Sequence, residues 1–542
     1  MATINAVEFA ASFARCLQRS SSSYVVAVAN SGGPDSTCLL FLLSRLRPPT
    51  SLVSLHVDHG LQPASVDMAH RAAANATSMG ITHHTLHIPW GCPPFPCRPV
   101  PGTPFENIAR QVRYHVLLRG MTHSGASILA LGHHADDQVE TSLMRLARGS
   151  TLVGAAGMRH RRRWGMGSGN SIDDLTWVGH PGMSHFIVRP LLDFSKDRIL
   201  ATCDAHALNY VNDPTNLHPE TSLRNAVRQM LASPTSGATE PPPFRQESIE
   251  QVMKASSFLQ STVTDVIDTR ERLRRATSLL ADKAERLDSE VTEQLRNCVL
   301  PSPPGTLLLP SSKLFTVEDP EVRFAMVLRA MRYISFHPWG STRADGDRRR
   351  ASIHRIMNYL WPVEPPAISP RKFTAGAGVL WTPVLYSHNK GFKAHCKSQR
   401  HLGQLDSAQS AWLASRLPPF FKNPQEGAGS ASRLFVDLTK QFVLANAASR
   451  DALQVLYDCR FLVGFDLTQM PNLVRNALNS VRDQPISIKI LPHTDYFWPK
   501  VVLQQGSSPD LVLAVLNKKG EVDTLDSSCW VSMEWVRSLD AT

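Results

Sequence analysis

Ser31-Gly-Gly-Pro-Asp-Ser36 is a short string whose residue types suit an anion. Its glycines, Gly32 and Gly33, let backbone N–H groups come close to phosphate oxygens with no Cβ in the way, and they tolerate positive φ. If a helix opens at Pro34, its N-terminal N–H groups and partial positive charge add to the grip, and Ser31 and Ser36 bring hydroxyl donors. A lone carboxylate at Asp35 would repel phosphate, so its presence makes sense with Mg²⁺ between the two. A second set is His133, Asp137, Glu140 and Met144, spaced three or four apart and hence on one helical face. Such carboxylates can hold a cationic substrate or Mg²⁺, and a neutral imidazole can take a proton from an amine. His56, Asp58 and His59 can bind metal or shape a nucleotide pocket, although a hydrogen-bonded turn would use them equally well. Arg110 and Arg113 can reach phosphates or simply face solvent.

These residues need elements to hold them. Residues 24–29 read as a buried strand followed by a helix over 36–45, and 52–57 as a second strand with a helix at about 64–79. A third strand falls at 84–88 with a helix over 105–118, a fourth at 127–131 with a helix over 135–147, and a fifth at 186–188 with a helix over 195–207. Strict alternation of strand and helix predicts an α/β fold, a doubly wound parallel sheet. Such sheets bind ligands beyond the carboxyl ends of their strands, where most of the residues above fall. No Walker-type lysine loop and no dinucleotide glycine fingerprint is present. Two insertions interrupt the alternation: a proline-rich surface loop over 89–104, and an arginine- and glycine-rich stretch over 159–183 that reads as flexible.

Length also matters: 542 residues exceed one compact core. We divide the chain into a catalytic domain over 1–232, a linker over 233–247, a helical basic domain over 248–365 and a mixed α+β region over 366–542. Lys and Arg outnumber Asp and Glu by 57 to 46, a balance of +11 that suits a polyanionic partner such as RNA. A basic balance also occurs in proteins with no nucleic-acid site. In the helical part the arginines cluster at Arg343, Arg348, Arg349, Arg350 and Arg355, and we expect RNA contacts there. The nine cysteines include no CxxC pair, and Cys38 reads as core. No apolar run reaches the ~18 residues of a membrane span. Residues 1–23 carry Arg15, Arg19 and several serines but a single acid, Glu8; they read either as a mitochondrial targeting segment or as an amphipathic helix leading into the first strand.

Set after the first strand, the SGGxDS string resembles that of the PP-loop (N-type) ATP pyrophosphatases. Further strings narrow the likeness: His56-Val-Asp-His-Gly-Leu-Gln62, Glu106-Asn-Ile-Ala-Arg-Gln-Val-Arg-Tyr114, Gly132-His-His-Ala-Asp-Asp-Gln-Val-Glu-Thr141, Val188-Arg-Pro-Leu-Leu192, Asn212-Asp-Pro-Thr-Asn216 and Arg224-Asn-Ala-Val-Arg228. Over residues 24–230 they resemble the tRNA(Ile)-lysidine synthetase family. The resemblance implies ATP and Mg²⁺ as cofactors, with ATP at Ser31, Gly32, Gly33, Pro34, Asp35 and Ser36 and with His56 and Arg113 beside it, Asp35 being the metal ligand. It implies catalysis by Asp35, His133, Asp137 and Glu140. L-lysine would be joined to C2 of the wobble cytidine of a CAU-anticodon tRNA(Ile), through an adenylated base, with release of AMP and pyrophosphate. Asn30, Thr151 and Ala155 depart from the residues the family usually carries. No membrane partner is expected, a homodimer is compatible with the reading, and the mitochondrial matrix is the expected compartment, with the cytoplasm as alternative. A tRNA 2-thiolation enzyme and a non-catalytic RNA-binding homologue are the competing readings. The first lacks its paired cysteines, and the second sits poorly with intact Asp35, Asp137 and Glu140.

Overall fold

The computed structural model describes residues 2–17, 24–61, 65–100, 106–169, 174–211, 223–232, 246–363, 370–387, 391–394, 409–419, 433–480, 485–506, 508–525 and 529–541. Strands β1 (Val25–Ala29), β2 (Leu52–Asp58), β3 (Thr82–His87), β4 (Ala126–Ala130), β5 (Arg161–Arg163) and β6 (Phe186–Val188) form one sheet in the order β3-β2-β1-β4-β6-β5. All but β5 run parallel. Strand period sends Val26 and Val28 to one face and Ala27 to the other. The valines pack with α1 (Ala6–Cys16), α2 (Pro34–Leu46), α3 (Ser65–Ser78) and, later in the chain, α6 (Lys196–Ala205). Ala27 meets α4 (Glu106–His123) and Trp164 on the opposite face. The doubly wound α/β fold expected from sequence is the fold observed.

Both insertions are built into this body. In the first, Phe95 is buried against Ile88, Val112 and Val116, and the Trp90 indole N–H donates to the His59 carbonyl at 3.0 Å. The second, read as flexible, instead supplies β5, antiparallel to β6. Its guanidiniums explain why a run of three arginines makes a strand: Arg161 and Arg163 lie over the Phe186 ring, at 3.8 and 4.9 Å from its centroid. Beyond the strand, Met166 and Met183 are buried, and the Met166 N–H donates to the Trp339 carbonyl at 2.8 Å. The glycine-rich stretch therefore reaches the helical part of the chain.

Helix α5 (Ala135–Ala147) turns its apolar side away from the sheet. Val139 and Leu143 pack with Val227 of α7 (Leu223–Ala232), with Val252, Ala255 and Leu259 of α8 (Gln246–Ser261), and with Leu273 and Ala276 of α9 (Thr269–Cys298). Of the expected linker, 233–245 lies outside the described residues, as do Gln62, Phe105 and the string 212–216; its last two residues already belong to α8. Helix α9 serves two bodies. Its early turns carry ion pairs to the catalytic domain, while Val291, Leu295 and Cys298 enter the core formed with helices Pro320–Ile334 and Arg350–Leu360. Strand β7 (Leu307–Pro310) pairs with the later strand Gln409–Arg416, so a sheet crosses the expected boundary at 365/366. The remainder is mixed α+β, with two antiparallel sheets around Trp498, Trp530, Phe442 and Phe465. No described helix is long and apolar enough to cross a membrane.

One joint between α9 and the catalytic domain is titratable. His160 is buried, with Nδ1 2.8 Å from Glu285 and Nε2 3.1 Å from Asp193. Burial alone would lower its pKa, but the two carboxylates outweigh it and raise it to about 9, while His160 and Arg15 pull Glu285 down to about 2. The histidine's contribution is complete below its unfolded pKa of ~6.5 and is lost as pH rises through about 9. The glutamate's is complete above ~4.3 and is lost as pH falls through about 2. We expect His160→Gln to cost about 2 kcal/mol near pH 6. The gap in thermal midpoint between wild type and variant should shrink as pH is raised from ~6.5 to about 9 and level off beyond it; a constant gap across that window would contradict the ion-pair account.

Candidate active site

The loop after β1 is organised by Asn30, the residue that departs from the family habit. Its amide is buried: Nδ2 donates to Ser54 Oγ and to the Ala72 carbonyl, each at 3.1 Å, and Oδ1 accepts from the Gly32 N–H at 3.0 Å. An apolar side chain would leave those partners unpaired in the interior. His56, also buried, donates from Nδ1 to the Asn30 carbonyl at 2.9 Å, and burial holds its pKa below the ordinary value. Gly32 has φ of 79°, and a Cβ there would come within 3.0 Å of the Met68 carbonyl oxygen. Gly33 then caps α2, and Pro34 takes its first position, where no N–H is needed.

The anion cradle differs from the simple nest expected. The Ser31 N–H donates to Ser36 Oγ at 3.1 Å, and the two serine hydroxyls lie 3.2 Å apart. With Gly32 held by Asn30, the donors left for a phosphate are the helix-end N–H groups of Asp35 and Ser36, which have no intrahelical acceptor. The chain after β4 lies directly on this helix end. A Cβ on Gly132 would sit 3.0 Å from the Asp35 carbonyl carbon and 3.2 Å from the Ser36 nitrogen. Only glycine fits without pushing the helix N-terminus aside.

Asp35, about one-third exposed, is paired with Lys196: Nζ lies 2.5 Å from Oδ1. The positive charge that phosphate requires beside Asp35 thus comes in part from the protein. Among the described residues no group of three His, Cys, Asp or Glu is placed to hold a metal. Asp58 accepts from the Gly60 N–H at 2.8 Å and pairs with His87 at 3.3 Å, which fixes the turn after β2. Arg113 is exposed on α4, and its charge, after desolvation, helps push His59 down to about 4.

The second set divides between two roles. His133 does not share a helical face with Asp137 and Glu140, because His134 is the N-cap and α5 begins at Ala135. His133 lies on the connection from β4. Desolvation, then Arg189, Arg110 and Arg224, push its pKa to about 3, so the imidazole is neutral. Its Nδ1 is buried without a partner, as are His59 Nδ1 and Arg189 Nε. Such orphaned groups beside an anion-holding loop fit a bound polar ligand. Asp137 accepts from the His134 N–H at 3.1 Å, which secures the first turn of α5. Glu140 is only 2% exposed and is gripped by Arg228 at 2.8 Å and Arg224 at 3.0 Å. Asp136, which sequence did not single out, accepts from the Lys196 N–H at 2.8 Å and from Arg274 of α9 at 2.6 Å.

Residues 5–234 match the PP-loop domain family. The tRNA(Ile)-lysidine synthase of Methylobacterium nodulans is 30% identical over 345 residues, covering 64% of this chain and 82% of that protein. That of Methylobacterium sp. (strain 4-46) is 30% identical over 358 residues, 66% of this chain and 85% of its own length. This chain belongs to the tRNA(Ile)-lysidine synthase family. A Bradyrhizobium tRNA(Ile)-lysidine synthase is 32% identical over 269 residues, of which the match spans 62% of that relative and 49% of this chain. Alignments to the lysidine synthases thus extend past the PP-loop domain into the helical part.

Sequence reasoning missed Lys196, Asp136, Arg274 and the packing role of Gly132. Nothing local marks the first three, since their partners come from other connections. Gly132 was quoted as part of a string, and only the contact distance gives its reason. We expect Gly132→Ala to weaken ATP binding about tenfold, ~1.4 kcal/mol, with the thermal midpoint nearly unchanged. Calorimetric titration checks this, and wild-type affinity in the variant would refute the packing role.

Proposed function

We propose that this chain uses ATP to activate C2 of the wobble cytidine in CAU-anticodon tRNA(Ile) and transfers L-lysine onto it. The reading is carried by one observation: at the carboxyl ends of β1, β4 and β6 the helix-end N–H groups, Lys196 and a neutral His133 converge, in a chain of the lysidine synthase family. The base oxygen attacks the α-phosphorus, and its bond to pyrophosphate breaks. The neutral ε-amine of lysine then attacks C2, the C2–O bond breaks, AMP departs, and the amine's proton leaves the nitrogen.

The residues set limits on each step. A histidine with a pKa near 3 is a weak base at neutral pH, so His133 first acts as an acceptor that orients the amine. Phosphates arriving beside Arg189 and Arg110 would offset the charges that depress it and raise its basicity as substrate binds. Mg²⁺ belongs to the proposal. Asp35 has one oxygen on Lys196 and offers a single carboxylate, which suits an ion that keeps water and takes most ligands from phosphates. Bound there, Mg²⁺ would neutralise phosphate charge. Glu140, enclosed by two arginines, is a positioning residue in this scheme.

Incubation with ATP, labelled lysine and unmodified CAU-anticodon tRNA(Ile) should place label in the RNA; its absence would overturn the reading. Asp35→Ala should abolish tRNA-dependent ATP/pyrophosphate exchange with circular dichroism unchanged. His133→Gln should retain exchange while lysine transfer falls about 10²-fold. We also propose a mitochondrial location, motivated by the basic, acid-poor residues 1–23. Because Phe9 and Phe13 of α1 are core residues, cleavage within 6–16 would remove packing from the catalytic domain. Residues 1–23 fused to a fluorescent protein should reach mitochondria, and a diffuse cytosolic signal would count against it.

A further inference from the structure

A cavity of about 610 Å³ opens between the catalytic domain, the second insertion and the helical part. It is lined by Arg110 and Tyr114 of α4, by Arg162 and Trp164 of the insertion, and by Arg332 and Arg348 from beyond α9, among others. No residue of the loop 31–36 contributes, so this is not the triphosphate pocket. Its volume lies in the ~300–1,000 Å³ range that ordinarily encloses a ligand.

The walls are strongly positive and lack lysine: seven arginines stand against two aspartates, Asp288 and Asp345. Each aspartate is already neutralised by two guanidiniums. Asp288 pairs with Arg159 at 2.8 Å and Arg329 at 3.2 Å, and Asp345 pairs with Arg332 and Arg348, both at 3.3 Å. Arg162 has no acceptor among the described residues, and Arg348 is 72% exposed at the side chain. The field reaches Tyr114: burial would raise its phenol, yet Arg110, Arg189, Arg162 and Arg113 hold it below the ordinary value. Tyr114 and Trp164 pack edge to face at 5.5 Å, giving the cavity an aromatic wall. Arginine with aromatic surface is the chemistry that takes phosphate and base together. Arg159, which lines the cavity, accepts through its carbonyl from Arg189 at 2.9 Å, so the cavity adjoins the segment that follows β6 at the candidate active site.

We propose that this cavity holds a short unpaired stretch of RNA flanking the target base, with phosphates drawn by Arg162 and Arg348 and bases offered the Tyr114–Trp164 wall. The assignment rests on the tRNA reading above and adds to it a site built by the insertion. A ligand seated there touches both the catalytic domain and the helical part, so the insertion acts as a recognition element.

Anisotropy titrations of the full chain test it, with a labelled anticodon stem-loop carrying a CAU loop and, as control, the same stem as a blunt duplex. Arg162→Ala should weaken stem-loop binding about tenfold and reduce the slope of log affinity against log salt by about one. Duplex binding and ATP binding without RNA should not change. Arg348→Ala, on a separate and exposed element, should act in the same direction, which guards against a folding defect in β5. Unchanged stem-loop affinity in both variants, or an equal loss on the duplex, would overturn the proposal. If wild type transfers no lysine yet Arg162→Ala still loses the stem-loop selectively, the activity reading fails and the cavity assignment stands; full transfer with no selective loss has the opposite meaning.

Discussion

Carboxylates clustered near an anion site must be given cations, and this requirement governs the assembly of the catalytic centre. Asp35 takes Lys196 from α6, Glu140 takes Arg224 and Arg228 from α7, and Asp136 takes Arg274 from α9. An ionised carboxylate left alone in a protein interior costs several kcal/mol, so the buried Glu140 is tolerated only once its two arginines have docked, while the half-buried Asp35 and Asp136 add to the same docking. The PP-loop domain and the helices that follow are therefore one thermodynamic unit around α5. The apolar side of that helix tells the same story, since Val139 and Leu143 find their cover in α7, α8 and α9.

The loop itself was legible because its chemistry is local. Ser31 to Ser36 sit in six consecutive positions, and the strand before and the helix after are dictated by adjacent residues. The bounds of α5 were legible for the same reason. The partners of the acids were not. Lys196 is 161 residues from Asp35, and Arg274 is 138 from Asp136, distances at which no periodicity speaks. His133 shows a subtler limit: three-or-four spacing placed it on a helical face, but the helix had not yet begun. The choice of His134 as N-cap, with Asp137 accepting its N–H, decides where α5 starts and leaves His133 on the connecting segment.

The second insertion misled for a compositional reason. Glycines and arginines in succession predict mobility, yet here the glycines allow close backbone approach and the arginines find an aromatic face. Gly165 and Gly182 are in backbone contact, a Cβ on Gly182 would fall 1.8 Å from the Gly165 carbonyl oxygen, and Met166 hydrogen-bonds to Trp339. Such contacts depend on a partner some 170 residues away and leave no local trace. Conversely, Asn30 looked like a departure from type and proves to be the group that satisfies the polar atoms around the loop.

Strand β7 is lent by the helical part to the sheet that follows it, where it pairs along its whole length with Gln409–Arg416. A fragment ending before residue 409 would keep that strand but lose its neighbour, leaving a row of Leu307, Leu308 and Leu309 with bare backbone donors and acceptors. Exposed apolar edges of this kind recruit other chains. A premature stop between residues 310 and 409 would then yield a sticky product prone to self-association, however intact its upstream chemistry.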